Sequence, residues 1–256
     1  NTEWVFRSYF AAKMVMASTL LLNNAEYCIN KNVLVTVPYL LYYAALSSAR
    51  GFLYASPFEQ TDDLEKLITI NHSKVLNLVP DLIKNHFDKN LGEEVQLLLN
   101  YLKSQRELFS YKFPASGILN EIKYEQTVDI CGLLAELTEL SSYKIQEVYE
   151  RKFVDIDKLP NKTETSWMSF DQEIIQKSYK YDSVEITGDK FERVDSEDFY
   201  RIDYINRKIK FLTSVIFTIT EGMTEDFFGA WCESKESLNE DDFNPDLDWN
   251  RIFPIP

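Results

Sequence analysis

The sequence contains few of the residues on which many enzyme classes depend. Of its 256 residues, 2 are histidine and 3 are cysteine. Cys28, Cys131 and Cys232 are far apart, with no CxxC pair and no adjacent histidine, so the sequence predicts neither a disulfide framework nor a zinc site. We expect no metal and no cofactor. Acid–base chemistry by imidazole is restricted to His72 and His86.

Glycine and proline are also scarce, with 7 and 8 residues, which excludes collagen-like chains and Pro/Gly-rich disordered chains. Glycine-rich phosphate loops, an HExxH helix and a GxSxG elbow are missing, which disfavours nucleotide hydrolysis, metalloprotease chemistry and serine hydrolysis. With 45% apolar residues, the chain can bury a core without a metal or a disulfide. The composition predicts an ordered, mainly helical protein.

Positive charge is in deficit: 27 lysines and arginines face 41 acidic residues, and the formal net charge is −14. This charge excludes a broad basic surface, so we expect no DNA binding, and any RNA site must be a local cleft. The apolar run Met14–Leu22 is too short to span a bilayer and has no basic leader or cleavage site. The sequence predicts a cytoplasmic protein with no membrane partner.

Apolar periodicity predicts an up-and-down antiparallel helical bundle over residues 1–154. The predicted helices are Trp4 to Leu22, stopped by Asn23-Asn24; Pro38 to Ser56; a helix from Asn71 or Ser73, kinked or shortened at Pro80; Gly92 to Phe113; and Ile122 to about Phe153. The fold class is therefore mainly α.

A polar stretch with a proline, Asp155 to Ser166, is the predicted boundary to a C-terminal helical extension, residues 171–256. Alternating polarity on both sides of Gly188-Asp189 predicts a small β-hairpin at about 183–194. A helix capped at Ser196 is expected to follow, with Ile202 and Ile205 on its apolar stripe. The acidic tail after residue 234 is expected to be solvated.

Two arginines, Arg50 and Arg106, each lie on an otherwise apolar helical stripe, where a guanidinium needs a partner. Arg106 is one turn from Leu102, hence on the face that packs into the bundle, where it can hold a phosphate or a carboxylate. The structural alternative is a stem along apolar surface with its head on a carboxylate. For Arg50, with Tyr43 nearby, the alternative is contact with water at a helix end.

His72 and the tyrosines complete the set of candidates. His72 begins a predicted helix, where it either caps and packs or transfers protons. Aromatic rings can stack bases, or they can simply be core. The tyrosines in question are Tyr39, Tyr42, Tyr43, Tyr54 and Tyr111.

Three segments carry a family resemblance. Residues 39–50, YLLYYAALSSAR, resemble an "AYYAxFHAAR" helix; residues 71–75, NHSKV, resemble a "THxxV" helix start; and residues 106–111, RELFSY, resemble an "RxxADY" helix. In their order and spacing, the first ~115 residues resemble the HEPN family of small helical bundles, which includes prokaryotic toxin, antitoxin and phage-defence proteins.

The resemblance implies a ribonuclease function, but this sequence departs from the motif that carries it. Many HEPN proteins are metal-independent ribonucleases in which four to six residues separate an arginine from a histidine, and the pair acts across a dimer cleft. After Arg106, those positions hold Tyr111, Lys112 and Phe113, and a phenol, which titrates near pH 10, is a poor proton-transfer group at neutral pH. We therefore expect a ribonuclease-inactive, HEPN-like module for binding protein or RNA in a defence or toxin–antitoxin system, as a homodimer or with a protein partner.

Two alternatives remain. The first is a metal-independent endoribonuclease with Arg106, Tyr111 and His72 as catalytic candidates. The second is a regulatory bundle that binds a nucleotide or another small anion. In either case the candidates for binding RNA or an anion are Arg50, Arg106 and Tyr43.

Overall fold

The computed structural model describes residues 2–58, 64–118, 120–153, 197–198, 201–202, 205, 214–231, 239 and 241–253. Over these residues the protein is helical and contains no strand, which confirms the mainly α class. The helices are α1 (Thr2–Asn30), α2 (Val37–Ala55), α3 (Leu64–Ile68), α4 (His72–His86), α5 (Lys89–Glu107), α6 (Tyr124–Phe153), α7 (Val215–Thr218) and α8 (Glu221–Gly229). The predicted boundary at 155–166 and the predicted hairpin at about 183–194 lie outside the described residues.

Helix α1 does not stop at Asn23-Asn24, so that prediction is wrong. Asn23 is buried, and its side-chain amide donates to the Pro245 carbonyl at 3.4 Å. The helix ends two turns later, where Asn32 adopts a left-handed φ of 57° and the Val33 N–H donates to the Cys28 carbonyl at 2.7 Å. This is a Schellman-type end, and a tertiary contact keeps the earlier asparagine inside the helix.

Helix α2 packs antiparallel to α1 at close range. The Ser18 hydroxyl donates to the Ala44 carbonyl at 2.9 Å, and a Cβ on Gly51 would lie 3.3 Å from the Ala11 carbonyl oxygen. At the far end, Arg7 donates to the carbonyls of Tyr54 and Ser56, both at 2.7 Å. Arg7 is 3% exposed, so this buried arginine satisfies carbonyls at the C-terminal end of α2.

The order of the bundle is not strictly up and down, because α2 and α4 run parallel. Tyr42 contacts His72 near the start of both helices, and Phe52 contacts Phe87 near the end of both. The chain returns between them through α3, whose last residue, Ile68, is buried and accepts from the Tyr54 hydroxyl at 3.4 Å. The predicted antiparallel order therefore holds for α1 with α2 and for α4 with α5.

Helices α4 and α5 form a tight hairpin. Pro80 lies inside α4 without shortening it, contrary to one of the predicted outcomes. Helix α5 begins before Gly92, because the Asp88 side chain accepts from the Leu91 N–H at 2.8 Å and caps it. Gly92 then lies against α4, where a Cβ would be 2.8 Å from the Pro80 carbonyl oxygen and 2.4 Å from the Lys84 Cγ.

Helix α6 closes the bundle over a small buried polar group. Ser48 donates to the Ser18 hydroxyl at 2.8 Å, and the fully buried Cys131 thiol lies beside both hydroxyls. Burial raises the pKa of Cys131 to about 11, although the two hydroxyls oppose the shift.

The described part of the C-terminal region packs on α1 and α6. The buried Asp198 carboxylate accepts from the Tyr9 hydroxyl at 2.7 Å and pairs with Lys13 at 2.6 Å. On α6, Gln146 accepts from the Ser214 N–H at 2.7 Å. Ile202 and Ile205 are buried, as their predicted apolar stripe requires.

By length and composition, residues Trp4–Asn30 of α1 could cross a membrane. However, 67% of the most apolar window of this stretch is buried inside the protein. A helix that is apolar on several faces is also expected where it packs against several neighbours in a core.

Gly92→Ala tests the α4–α5 contact. In an unobstructed helix this change stabilises by about 0.5 to 1 kcal/mol, but here the added methyl meets backbone, so we expect a loss of about 2 kcal/mol. Gly132→Ala is the matched control, because a Cβ there meets nothing within 4 Å and should stabilise. Urea unfolding measures both, and equal effects of the two changes would contradict the contact.

The Cys131 thiol predicts an alkaline loss of stability. The unfolded chain releases this proton near the ordinary value of 9.0, whereas the folded chain keeps it to about 11. The thiol's contribution is therefore complete below pH 9 and decreases as the pH rises to about 11. Between pH 8 and 11, the melting temperature should decrease less for Cys131→Ala than for the parent chain. Parallel pH profiles of the two proteins would refute the thiol as the cause of the loss.

Candidate functional site

The three segments of the family resemblance meet at one end of the bundle, where α2 and α4 begin and α5 ends. We call their contacting side chains the arginine–tyrosine cluster. It consists of Tyr42, Tyr43, His72, Arg106 and Tyr111.

Tyr42 is the centre of the cluster. It is 1% exposed, its hydroxyl is 3.3 Å from His72 Nδ1, and the Arg106 guanidinium carbon lies 4.9 Å from its ring centroid. Burial raises the pKa of Tyr42, and the neighbouring Arg106 opposes this shift. The phenol is therefore held neutral as a hydrogen-bonding bridge between the histidine and the arginine.

His72 is positioned by the start of α4. The Asn71 side chain accepts from the Lys74 N–H at 2.9 Å, so Asn71 caps the helix and His72 is its first residue. The rings of His72 and Tyr43 pack edge to face, with a centroid distance of 5.8 Å and an interplanar angle of 84°. Tyr43 is 38% exposed, which leaves part of its ring open to solvent beside the imidazole.

Arg106 is half-buried on the last turn of α5. Desolvation tends to lower its pKa, but the phenol oxygens of Tyr42 and Tyr111 outweigh it and raise the pKa. The Arg106 Nε atom is buried and has no hydrogen-bond partner within the described part of the chain. A buried donor of this kind usually finds a partner in a folded protein, and the described residues supply none to this nitrogen.

The chain leaves α5 through a π turn, Leu108–Lys112. The Phe113 N–H donates to the Leu108 carbonyl, five residues earlier, at 3.0 Å. In an α-helix, residues five apart are about 140° apart around the axis; a π turn places them nearly one above the other. Tyr111 lies inside this turn and is 77% exposed.

The π turn ends in a strained residue. Phe113 has φ 40° and ψ 72°, in the left-handed region, which is unfavourable for a residue with a large side chain by about 1 to 2 kcal/mol. Its ring is 64% exposed, so ring burial contributes little to hold this conformation.

Arg50 lies beside the cluster rather than in its centre. One terminal nitrogen of its guanidinium donates to the Ile70 carbonyl at 3.3 Å, two residues before His72. Arg50 thus supports the segment that leads into α4. Its predicted role in anion binding stays a prediction.

Chemically, the arginine–tyrosine cluster combines a forked cation with aromatic faces and an imidazole. A guanidinium binds phosphate or carboxylate by paired hydrogen bonds, and a partly open ring can stack on a base. Within the described ranges, no group of three or more His, Cys, Asp or Glu side chains is arranged to hold a metal ion.

Sequence reasoning selected Arg106, His72, Tyr43 and Tyr111, and the structure brings these four together. It did not select Tyr42 as a bridge, although the tyrosine pair at 42 and 43 was visible. The π turn had no recognisable sequence pattern, because a single-residue change of helical register leaves the apolar spacing almost unaltered.

No family model, no curated protein and no solved structure matches this chain.

Tyr42→Phe tests the bridge. The change removes the hydroxyl that contacts His72 but keeps the ring beneath Arg106, so we expect the free energy of unfolding to fall by about 1 kcal/mol. Tyr43→Phe is the neighbouring control and should change it by less than about 0.5 kcal/mol, because Tyr43 is exposed. Urea unfolding compares them, and a neutral Tyr42→Phe would refute the bridge.

Proposed function

We propose that this chain is a HEPN-like, ribonuclease-inactive binding and assembly module of a prokaryotic defence or toxin–antitoxin system. It acts in the cytoplasm, as a homodimer or with a protein partner, and takes single-stranded RNA at the arginine–tyrosine cluster. The observation that carries the proposal is the convergence of His72, Tyr42 and Arg106 from three helices, since these side chains come from the three segments that resemble the family.

The chemistry of the cluster supports binding. A backbone phosphate pairs with the guanidinium of Arg106, which is half-buried at the end of α5. A base stacks on the open part of the Tyr43 ring. With a formal net charge of −14, the rest of the surface repels nucleic acid. The bound RNA segment is therefore short, and the affinity depends on the salt concentration.

The departure from the family pattern supports the absence of cleavage. Where the pattern has a histidine after the arginine, this chain has Tyr111. The family pattern uses the imidazole for proton transfer, and a tyrosine at this position does not supply that group.

A metal-independent endoribonuclease is the second candidate. It is favoured by one observation: His72 Nδ1, from another helix, is 3.3 Å from the Tyr42 hydroxyl. An imidazole is thus present in the cluster, although not at the position of the family pattern.

The test uses the full chain and a fluorescent single-stranded RNA in EDTA at low salt. We expect binding without cleavage and about a tenfold loss of affinity for Arg106→Ala, because one charged fork is worth about 1.4 kcal/mol or more. Arg106→Lys should recover only part of it. Arg151→Ala is the matched control, because it removes one exposed arginine on α6.

Three results would change the proposal. Equal losses of RNA affinity for Arg106→Ala and Arg151→Ala would mean that the net charge, rather than a site at Arg106, controls binding. No RNA binding by the parent chain would refute the RNA site. Cleavage that is lost in His72→Ala, with binding retained, would establish the second candidate.

A further inference from the structure

We propose that α6 is the contact surface between two copies of this chain, which pair antiparallel about Leu140. The inference rests on the homodimer of the proposed function and gives that homodimer an interface. Helix α6 contributes no residue to the arginine–tyrosine cluster, so the interface and the RNA site are tested separately. An exposed apolar centre, a change of charge sign at that centre and the length of the helix carry the inference.

The first observation is an exposed apolar group in the middle of α6. Leu140 and Tyr143 are 44% and 48% exposed, and residues three apart lie on the same side of a helix. On the opposite side, Leu134 and Thr138 are fully buried in the bundle. Helix α6 therefore packs one side against its own bundle and presents large apolar side chains on the other, where a further partner can cover them.

The second observation is that the charge on this exposed side changes sign at Leu140. The exposed Asp129 and Glu136 precede Leu140, and the exposed Lys144 follows it. At 3.6 residues per turn, all three lie within about 40° of Leu140 around the helix axis. One side of α6 is thus acidic, then apolar, then basic along its length.

This order makes the helix complementary to itself in the antiparallel direction. A two-fold axis at Leu140 brings Glu136 of each copy to the level of Lys144 of the other, because both residues lie four positions from Leu140, about 6 Å along the axis. The contact therefore occurs twice. A parallel pair would instead place two Glu136 carboxylates side by side, so the charges select the antiparallel arrangement.

Glu147 leaves Lys144 able to make this contact. Lys144 lies 3.3 Å from Glu147, but Glu147 also pairs with Arg151, so one carboxylate serves two cations. An exposed pair within a helix is weak. Glu136 of the second copy supplies Lys144 with another carboxylate without removing the first.

The length of α6 favours a stable contact. Leu140 lies near the middle of the helix, which spans Tyr124–Phe153, so an antiparallel pair about Leu140 overlaps for about 40 Å. The formal net charge of −14 opposes association at long range. At physiological salt the Debye length is about 8 Å, so the contacts between the two helices outweigh this repulsion.

The experiment measures the dimer dissociation constant of the full chain, without RNA, by sedimentation equilibrium. Glu136→Lys and Lys144→Glu each create two like-charge contacts, so each should raise the dissociation constant about tenfold or more. The double variant restores opposite charges and the net charge of the parent, and its dissociation constant should be within about twofold of the parent value.

Two further variants complete the design. Leu140→Asp places two carboxylates at the two-fold axis without touching either member of the charge pair, so it should also weaken the dimer. Glu94→Lys is the matched control, because it makes the same change of charge at an exposed position of α5. It should leave the dissociation constant unchanged.

The outcomes separate the interface from the RNA site. A parent chain that stays monomeric at every concentration overturns the interface, even if it binds RNA through Arg106. A dimer that tolerates both single reversals, a double variant as weak as the single ones, or an equal loss in Glu94→Lys also overturns it. Weakening by each reversal with recovery in the double variant supports the interface, and this result stands even if Arg106→Ala leaves RNA affinity unchanged and the RNA site fails.

Discussion

The close packing of α2 between its neighbours is the contact on which the rest of the structure depends. Small buried residues, among them Ala44, Ala45 and Ala49, let α1 approach α2 closely enough for side chains of one to reach backbone of the other. The same helix carries Tyr42 and Tyr43 at its beginning. The core contact therefore also determines where the arginine–tyrosine cluster lies, and a shift of α2 along α1 would separate Tyr42 from His72 and Arg106.

The polar groups of the interior fall into two kinds. Those that stabilise the fold have their partners within the chain: Arg7 holds the end of α2, and Asp198 attaches the C-terminal region to α1. Arg106 differs, because a buried nitrogen of its side chain has no partner in the described residues. Arg7 is thus an arginine of the structure, whereas Arg106 is the arginine to which the proposed function assigns a ligand.

Local patterns predicted most of the helices, and the errors have a common cause. Pro38 was recognised as a helix start, and Asn71 or Ser73 as the next one; the structure confirms Pro38 in the first turn of α2 and Asn71 as the cap of α4. Asn23-Asn24 was expected to end α1, and Pro80 was expected to kink or shorten α4. Both helices continue past these residues, and at Asn23 a tertiary contact outweighs the local preference. For the candidate site, Arg106, His72 and Tyr43 were predicted from the sequence, and they lie near one another around Tyr42; their roles stay predictions. Tyr42 was named only as one of five candidate tyrosines; its position between His72 and Arg106 was not predicted, since it depends on three helices that are distant in sequence.

By itself, the sequence determined the helical class, because apolar spacing and the scarcity of glycine and proline leave few alternatives. It also determined which residue types are available for chemistry: two histidines and two arginines on apolar stripes. Only the tertiary structure decided that α2 and α4 run parallel and that His72 joins Arg106 through Tyr42. It also decided the π turn after α5, because contacts between distant segments and a one-residue change of register leave no periodic trace in a sequence.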